Sequence, residues 1–145
     1  MNRISKSQIN QAMNFFRDRL FRERHRLAMN TYIEVNVKRD IGADGWCYVE
    51  DDDVRPREFK IELEKTLDEM TLLRTLAHEM VHVWQYASGK LRLYQDGRHR
   101  YDGRVYSSNT KYLERPWEGE AYELEEVLVK EWLERRSRKC LQNAA

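Results

Sequence analysis

The period of the apolar positions changes several times along the chain, and each change marks a predicted element. From Ser7, the residues Ile9, Met13, Phe16, Leu20 and Leu27 recur at helical spacing among Arg17, Arg19, Arg22, Glu23, Arg24 and Arg26, which predicts an amphipathic helix over about residues 7–28. Thr31 to Lys38 alternates polar residues with Ile and Val, the period of a strand. Gly42 to Gly45 is a turn, and Trp46 to Val49 reads as a second strand. Glu58 to Glu64 is a third, with Phe59, Ile61 and Leu63 on one face.

Thr66 and Glu69 fit a capping box that opens a central helix over about Leu67 to Ala87, stopped by Gly89. Residues 90–115 are rich in Gly, Asp, Arg and Tyr and show no period, so they are expected to form a long irregular connection of the kind that lines a site. A last helix begins at Pro116, a residue suited to a first helical turn, and continues through Ala121, Leu124, Val127, Leu128, Trp132 and Leu133. The tail, residues 135–145, is basic and then polar and is expected to fray. The class expected is α+β. It comprises an N-terminal helix, a small three-stranded sheet, a central helix and a C-terminal helix, in one domain over residues 1–145.

Composition narrows the function classes. An apolar share of 41% is enough for a core, and 26 basic against 25 acidic residues leave a formal charge of +1, so net charge does not advertise nucleic-acid binding. The arginines from Arg17 to Arg26 read as a solvated helix face before they read as a basic patch. The acidic run Glu50 to Asp53 lacks the spacing of a calcium loop and reads as an exposed turn. No apolar stretch approaches the roughly 20 residues of a membrane helix, and the N-terminus lacks the apolar core of a signal peptide. A cytoplasmic location without membrane contact is expected. Cys47 and Cys140 lie far apart without C-x-x-C spacing and read as two unpaired thiols.

The chemistry sits in the central helix, where His78, Glu79 and His82 have the spacing H-E-x-x-H. Positions four apart share a helix face, so the two imidazoles can converge on one ion, while Glu79, rotated about 100° from His78, stands beside it. There it can take a proton from a zinc-bound water, whose pKa falls from about 15.7 to about 7. The surrounding Leu72, Leu73, Leu76, Ala77, Met80, Val81, Val83 and Trp84 make the helix apolar nearly all round. A polar cluster buried there needs partners, and an ion supplies one. Catalytic zinc takes three protein ligands as a rule. The remaining sources are His25, His99 and the carboxylates Glu118 and Glu120, of which a glutamate at the head of a packed helix is the better held.

His78-Glu-Met-Val-His82-Val-Trp-Gln85 resembles the H-E-[LM]-[IV]-H-x-x-Q motif of SprT-like zinc metallopeptidases, and Pro116-Trp-Glu-Gly-Glu-Ala-Tyr122 resembles the P-W-E-x-E-A-[YF] motif of their short phage-encoded members. The resemblance implies a zincin-like metallopeptidase domain, zinc as cofactor and a polypeptide substrate. Zincins with a glutamate ligand often show E-x-x-A-[DN], and aligning Ala121 with that alanine selects Glu118 as the third ligand beside His78 and His82; a thermolysin-like N-E-A register would select Glu120, and His99 is the third option. Glu79 is then the catalytic base. The oxyanion donor is open among Tyr94, His99, Tyr101, Arg104, Tyr106 and Tyr112. Two alternatives stand beside the peptidase. One is a DNA-associated protease using the arginines of the first helix with Arg135, Arg136, Arg138 and Lys139, and the other is a non-catalytic zinc-stabilised binding domain.

Overall fold

A computed structural model describes residues 4–143 and gives an α+β fold with four helices and two small sheets. Helix α1 (Lys6–Leu20) starts one residue earlier than Ser7 suggests, because Ser5 forms the capping box: its hydroxyl accepts the Gln8 amide and the Gln8 side chain accepts the Ser5 amide. Ile9, Ala12, Met13 and Phe16 form its buried face. The expected single helix over 7–28 is broken after Leu20 and resumes as the short α2 (His25–Met29). Phe21 explains the break. On a straight helix it would stand about 140° round from Phe16 and point away from the apolar stripe, whereas the bend buries it to 2% exposure.

The first sheet forms as the alternation predicts. Strands β1 (Tyr32–Lys38), β2 (Gly45–Val49) and β3 (Glu58–Glu64) are ordered β1-β3-β2, with β1 parallel and β2 antiparallel to β3. Phe59, Ile61 and Leu63 of the central strand are all buried against the helices. Helix α3 (Glu69–Ala87) is the hub of the core and packs on α1, on the sheet and on the last helix. Its cap is Asp68, whose carboxylate accepts the Thr71 amide at 2.7 Å, and not Thr66. Thr66 is held outside the helix by Glu64, and Glu69 bonds Arg136 instead of reaching back. Gly89 ends the segment at φ +82, where a side chain would be strained.

Residues 90–115 are more ordered than their lack of period suggests. They form a second antiparallel sheet of three-residue strands, β4 (Leu91–Leu93), β5 (His99–Tyr101) and β6 (Arg104–Tyr106), followed by one 3-10 turn at Tyr112–Glu114. Strands this short cannot display an alternation, but the Asp102-Gly103 turn, with both residues at positive φ, is a hairpin signal. Leu91 and Tyr101 pack on Trp117 and fix this sheet to the start of α4 (Pro116–Asn143). Helix α4 also corrects the expected frayed tail: it stays helical through Asn143, and residues 144–145 lie outside the described residues. Among the described residues no helix is long and apolar enough to cross a membrane.

Candidate metal centre

Two helices build the site. Helix α3 presents His78 and His82 on one face, both only 8% exposed, and the first turn of α4 presents Glu118. Glu118 Oε1 lies 2.9 Å from His78 Nε2 and 3.2 Å from His82 Nε2. One ligand atom from each of the three residues falls within 4.8 Å of the others, so the group could hold a metal ion.

The far nitrogens are engaged too. His78 Nδ1 lies 3.3 Å from Glu125 Oε1, and His82 Nδ1 lies 2.8 Å from Gln85 Oε1. Gln85 is fully buried, and its amide nitrogen donates to the Trp117 carbonyl and to Glu120 Oε1, which fixes its oxygen toward His82. Each ring therefore has an acceptor for an Nδ1 proton, so a neutral ring turns its Nε2 lone pair toward the Glu118 carboxylate. Three acceptor atoms facing one another repel unless a cation lies between them. The donor set fits a metal ion.

Without an ion, protons serve that purpose. Burial opposes charge on His78, but hydrogen bonds to Glu118 and Glu125 and the charge of Glu79 outweigh it and push the imidazole up to about 9. His82 is raised in the same way: burial opposes, and Glu118 outweighs it. Burial also opposes charge on Glu118, yet the two imidazoles hold it far below the usual carboxylate range.

Glu79 stands beside this cluster, 8% exposed and without a hydrogen bond to another described residue. Burial raises its pKa and the two imidazoles offset only part of that rise. Strand β2 lies against it: a Cβ at Gly45 would come 3.4 Å from Glu79 Cγ and 2.5 Å from Thr75 Cγ2, so only glycine permits this approach. Cys47, two residues on, is pushed well up by burial and then by the Glu79 charge, which keeps its thiol protonated.

Of the other sequence candidates, Glu120 is turned away, accepting from Gln85 and paired with Lys90. His99 stacks on Trp117 at 4.7 Å between ring centroids and is absent from the cluster. Tyr112 stands out among the proposed oxyanion donors. Its hydroxyl donates to Glu118 Oε1 at 3.0 Å and lies 3.0 Å from the hydroxyl of Tyr122, whose ring packs on His78. Burial, reinforced by Tyr122 and Glu118, raises the Tyr112 phenol and keeps it a donor. Sequence reasoning missed Glu125. It falls seven residues after Glu118, two turns along one helix face, but it is one of seven glutamates on α4 and the sequence alone does not say which of them faces α3. Cys47 and Cys140 are both free thiols, as expected.

Comparison with family models, with curated proteins and with solved structures finds no match to this chain.

Proposed function

We propose that the chain is a zinc-dependent peptidase of the zincin type, with His78, His82 and Glu118 as zinc ligands and Glu79 as general base. The observation that carries this reading is the convergence of the two Nε2 atoms on Glu118 Oε1 at 2.9 and 3.2 Å, with both Nδ1 atoms engaged elsewhere. Tetrahedral zinc with bonds of about 2.0–2.1 Å separates its ligand atoms by about 3.4 Å, close to those distances. Two imidazoles and one carboxylate, with a fourth position for water, are the ligand set of a hydrolytic zinc site rather than of a closed structural one. The motifs at His78–Gln85 and Pro116–Tyr122 add the resemblance to SprT-like peptidases, whose implied α+β class this fold shares.

Zinc, when bound, supplies a Lewis acid and lowers the pKa of water from about 15.7 to about 7. The chain's own residues supply the rest. Glu79 takes the proton of the attacking water and, with a pKa raised by burial, can hold it for transfer to the leaving amine. The Tyr112 hydroxyl is the donor best placed to stabilise the oxyanion that develops on the substrate carbonyl. Strand β2 is an edge strand that begins against Glu79, so an extended polypeptide laid along it passes the base.

The two other readings find less support. A non-catalytic binding domain has no use for Glu79, a carboxylate only 8% exposed beside the two imidazoles and without a side-chain hydrogen bond among the described residues. For a DNA-associated protease, Arg17, Arg19 and Arg136 are already paired with Asp18, Glu131 and Glu69, which leaves Arg22, Arg24, Arg26, Arg135, Arg138 and Lys139 without ion pairs among the described residues as its phosphate contacts. The deciding experiment is hydrolysis of an unfolded-protein substrate by the zinc-loaded wild type, the chelated wild type and Glu79→Gln, with a salt titration on labelled DNA alongside. Cleavage by the loaded wild type alone supports the peptidase, and equal products in all three exclude it.

A further inference from the structure

We infer that the free edge of β1 is a docking site for an extended, acidic peptide segment, separate from the metal cluster and independent of the peptidase reading. Strand β1 pairs with β3 alone among the described residues. The Tyr32 amide donates to Arg57 O at 2.7 Å and Lys38 O accepts from the Lys65 amide at 2.9 Å, so the even-numbered residues of β1 face β3. In a parallel ladder the intervening residues point their peptide groups the other way. Ile33, Val35 and Val37 therefore offer N–H and C=O groups to a further strand. An exposed edge of this kind is the template for strand addition.

A groove of about 670 Å³ runs beside this edge, between β1 and the start of α1. Its apolar floor includes Ile9, Val35, Leu67 and Leu72, and its rim carries Lys6, Lys38, Arg39 and Lys65. Of the two acids on the rim, Glu69 is paired with Arg136, while Asp68, which caps α3, keeps its charge, as does the exposed Glu34 of β1. Lys38 is paired with Glu62, whereas Lys6, Arg39 and Lys65 make no ion pair among the described residues. Three unpaired cations against the carboxylates of Asp68 and Glu34 leave a net positive excess, concentrated at Arg39 and Lys65. The fitting partner seats apolar side chains in the groove and carries carboxylates beside them, within reach of Arg39 and Lys65 on the rim. The site is distinct from the cleft, since β3 separates β1 from the β2 edge at Glu79.

The test is fluorescence anisotropy of the intact protein with two labelled, end-blocked peptides, one alternating valine with glutamate and the other valine with lysine. The glutamate peptide is expected to bind, to weaken as salt rises, and to exceed the lysine peptide by at least about tenfold. Arg39→Glu with Lys65→Glu should reverse that preference. Val37→Pro removes an edge N–H without touching the β3 ladder and should weaken binding by about tenfold; circular dichroism confirms that each variant is folded. Equal binding of the two peptides, no binding of either, or full affinity in folded variants of both kinds overturns the inference. So does concentration-dependent dimerisation in sedimentation that Val37→Pro abolishes, since the edge then belongs to a second copy of the chain.

Discussion

His78 Nε2 and Glu118 Oε1 lie 2.9 Å apart although they come from different helices, and that contact ties the head of α4 to the middle of α3. Glu120, two residues on, faces Gln85 and Lys90 instead. Glu118→Ala is therefore expected to weaken zinc binding by more than the 10–100-fold typical of a lost supporting contact. Glu120→Ala should stay within about tenfold, and His99→Ala should leave affinity unchanged. Competition with a chromophoric chelator measures all three; loss of zinc in Glu120→Ala alone would transfer the ligand role to Glu120.

The supporting residues make a separate prediction. Glu125 and Gln85 accept from the Nδ1 atoms of the two histidines, so replacing either by alanine should lower zinc affinity by about 10–100-fold while leaving the ligand set intact. Glu125→Gln, which keeps an acceptor oxygen, should cost less than Glu125→Ala. Unchanged affinity in both alanine variants would mean that packing alone orients the rings.

Protonation gives the metal-free protein a recognisable pH profile. His78 is held at about 9 against an ordinary 6.5, so its contribution to stability is complete below about 6.5 and is lost as pH rises through 9. Glu118 is depressed from its ordinary 4.5, so its contribution is complete above that value and is lost as pH falls through its folded-state pKa. Chelated protein should be most stable between about pH 4.5 and 6.5 and weaken toward pH 9, as read by denaturant titration. Zinc displaces the His78 proton, so zinc affinity should rise as pH climbs toward 9, with about one proton released from His78 per ion near pH 7. Calorimetry in buffers of different ionisation enthalpy measures the release, and zero release would contradict the protonated cluster.

Much of this was legible in the sequence where one local pattern governs the outcome. The alternation of Phe59, Ile61 and Leu63 forms the central strand, and the spacing of His78 and His82 places both rings on one buried face. What escaped depended on distant partners. Phe21 breaks the first helix because the core has room for its ring, Asp68 takes the cap that Thr66 also suits because Glu64 holds Thr66, and the strands at 91–106 exist because Trp117 receives Leu91 and Tyr101. The preference for Glu118 over Glu120 rested on motif register alone for the same reason. Helical angle alone cannot separate them, while Lys90 and Gln85 draw Glu120 to the other side.

Two variants divide the proposed chemistry. Glu79→Gln should retain zinc and lower kcat by about 10²–10⁴-fold, because the amide fills the same space and cannot take a proton. Tyr112→Phe should lower kcat by about 10²–10³-fold with KM little changed, the signature of a donor used in the transition state. A Tyr112→Phe enzyme with raised KM and normal kcat would make this phenol a substrate-binding group instead.

The central claim is one zinc ion between two helices, and anomalous X-ray scattering from zinc-loaded crystals on either side of the zinc edge tests it most directly. The expected result is a single strong peak at about 2.0–2.2 Å from His78 Nε2, His82 Nε2 and a carboxylate oxygen of Glu118. No peak, or a peak at other side chains with His78 and Glu118 still in direct contact, would contradict it.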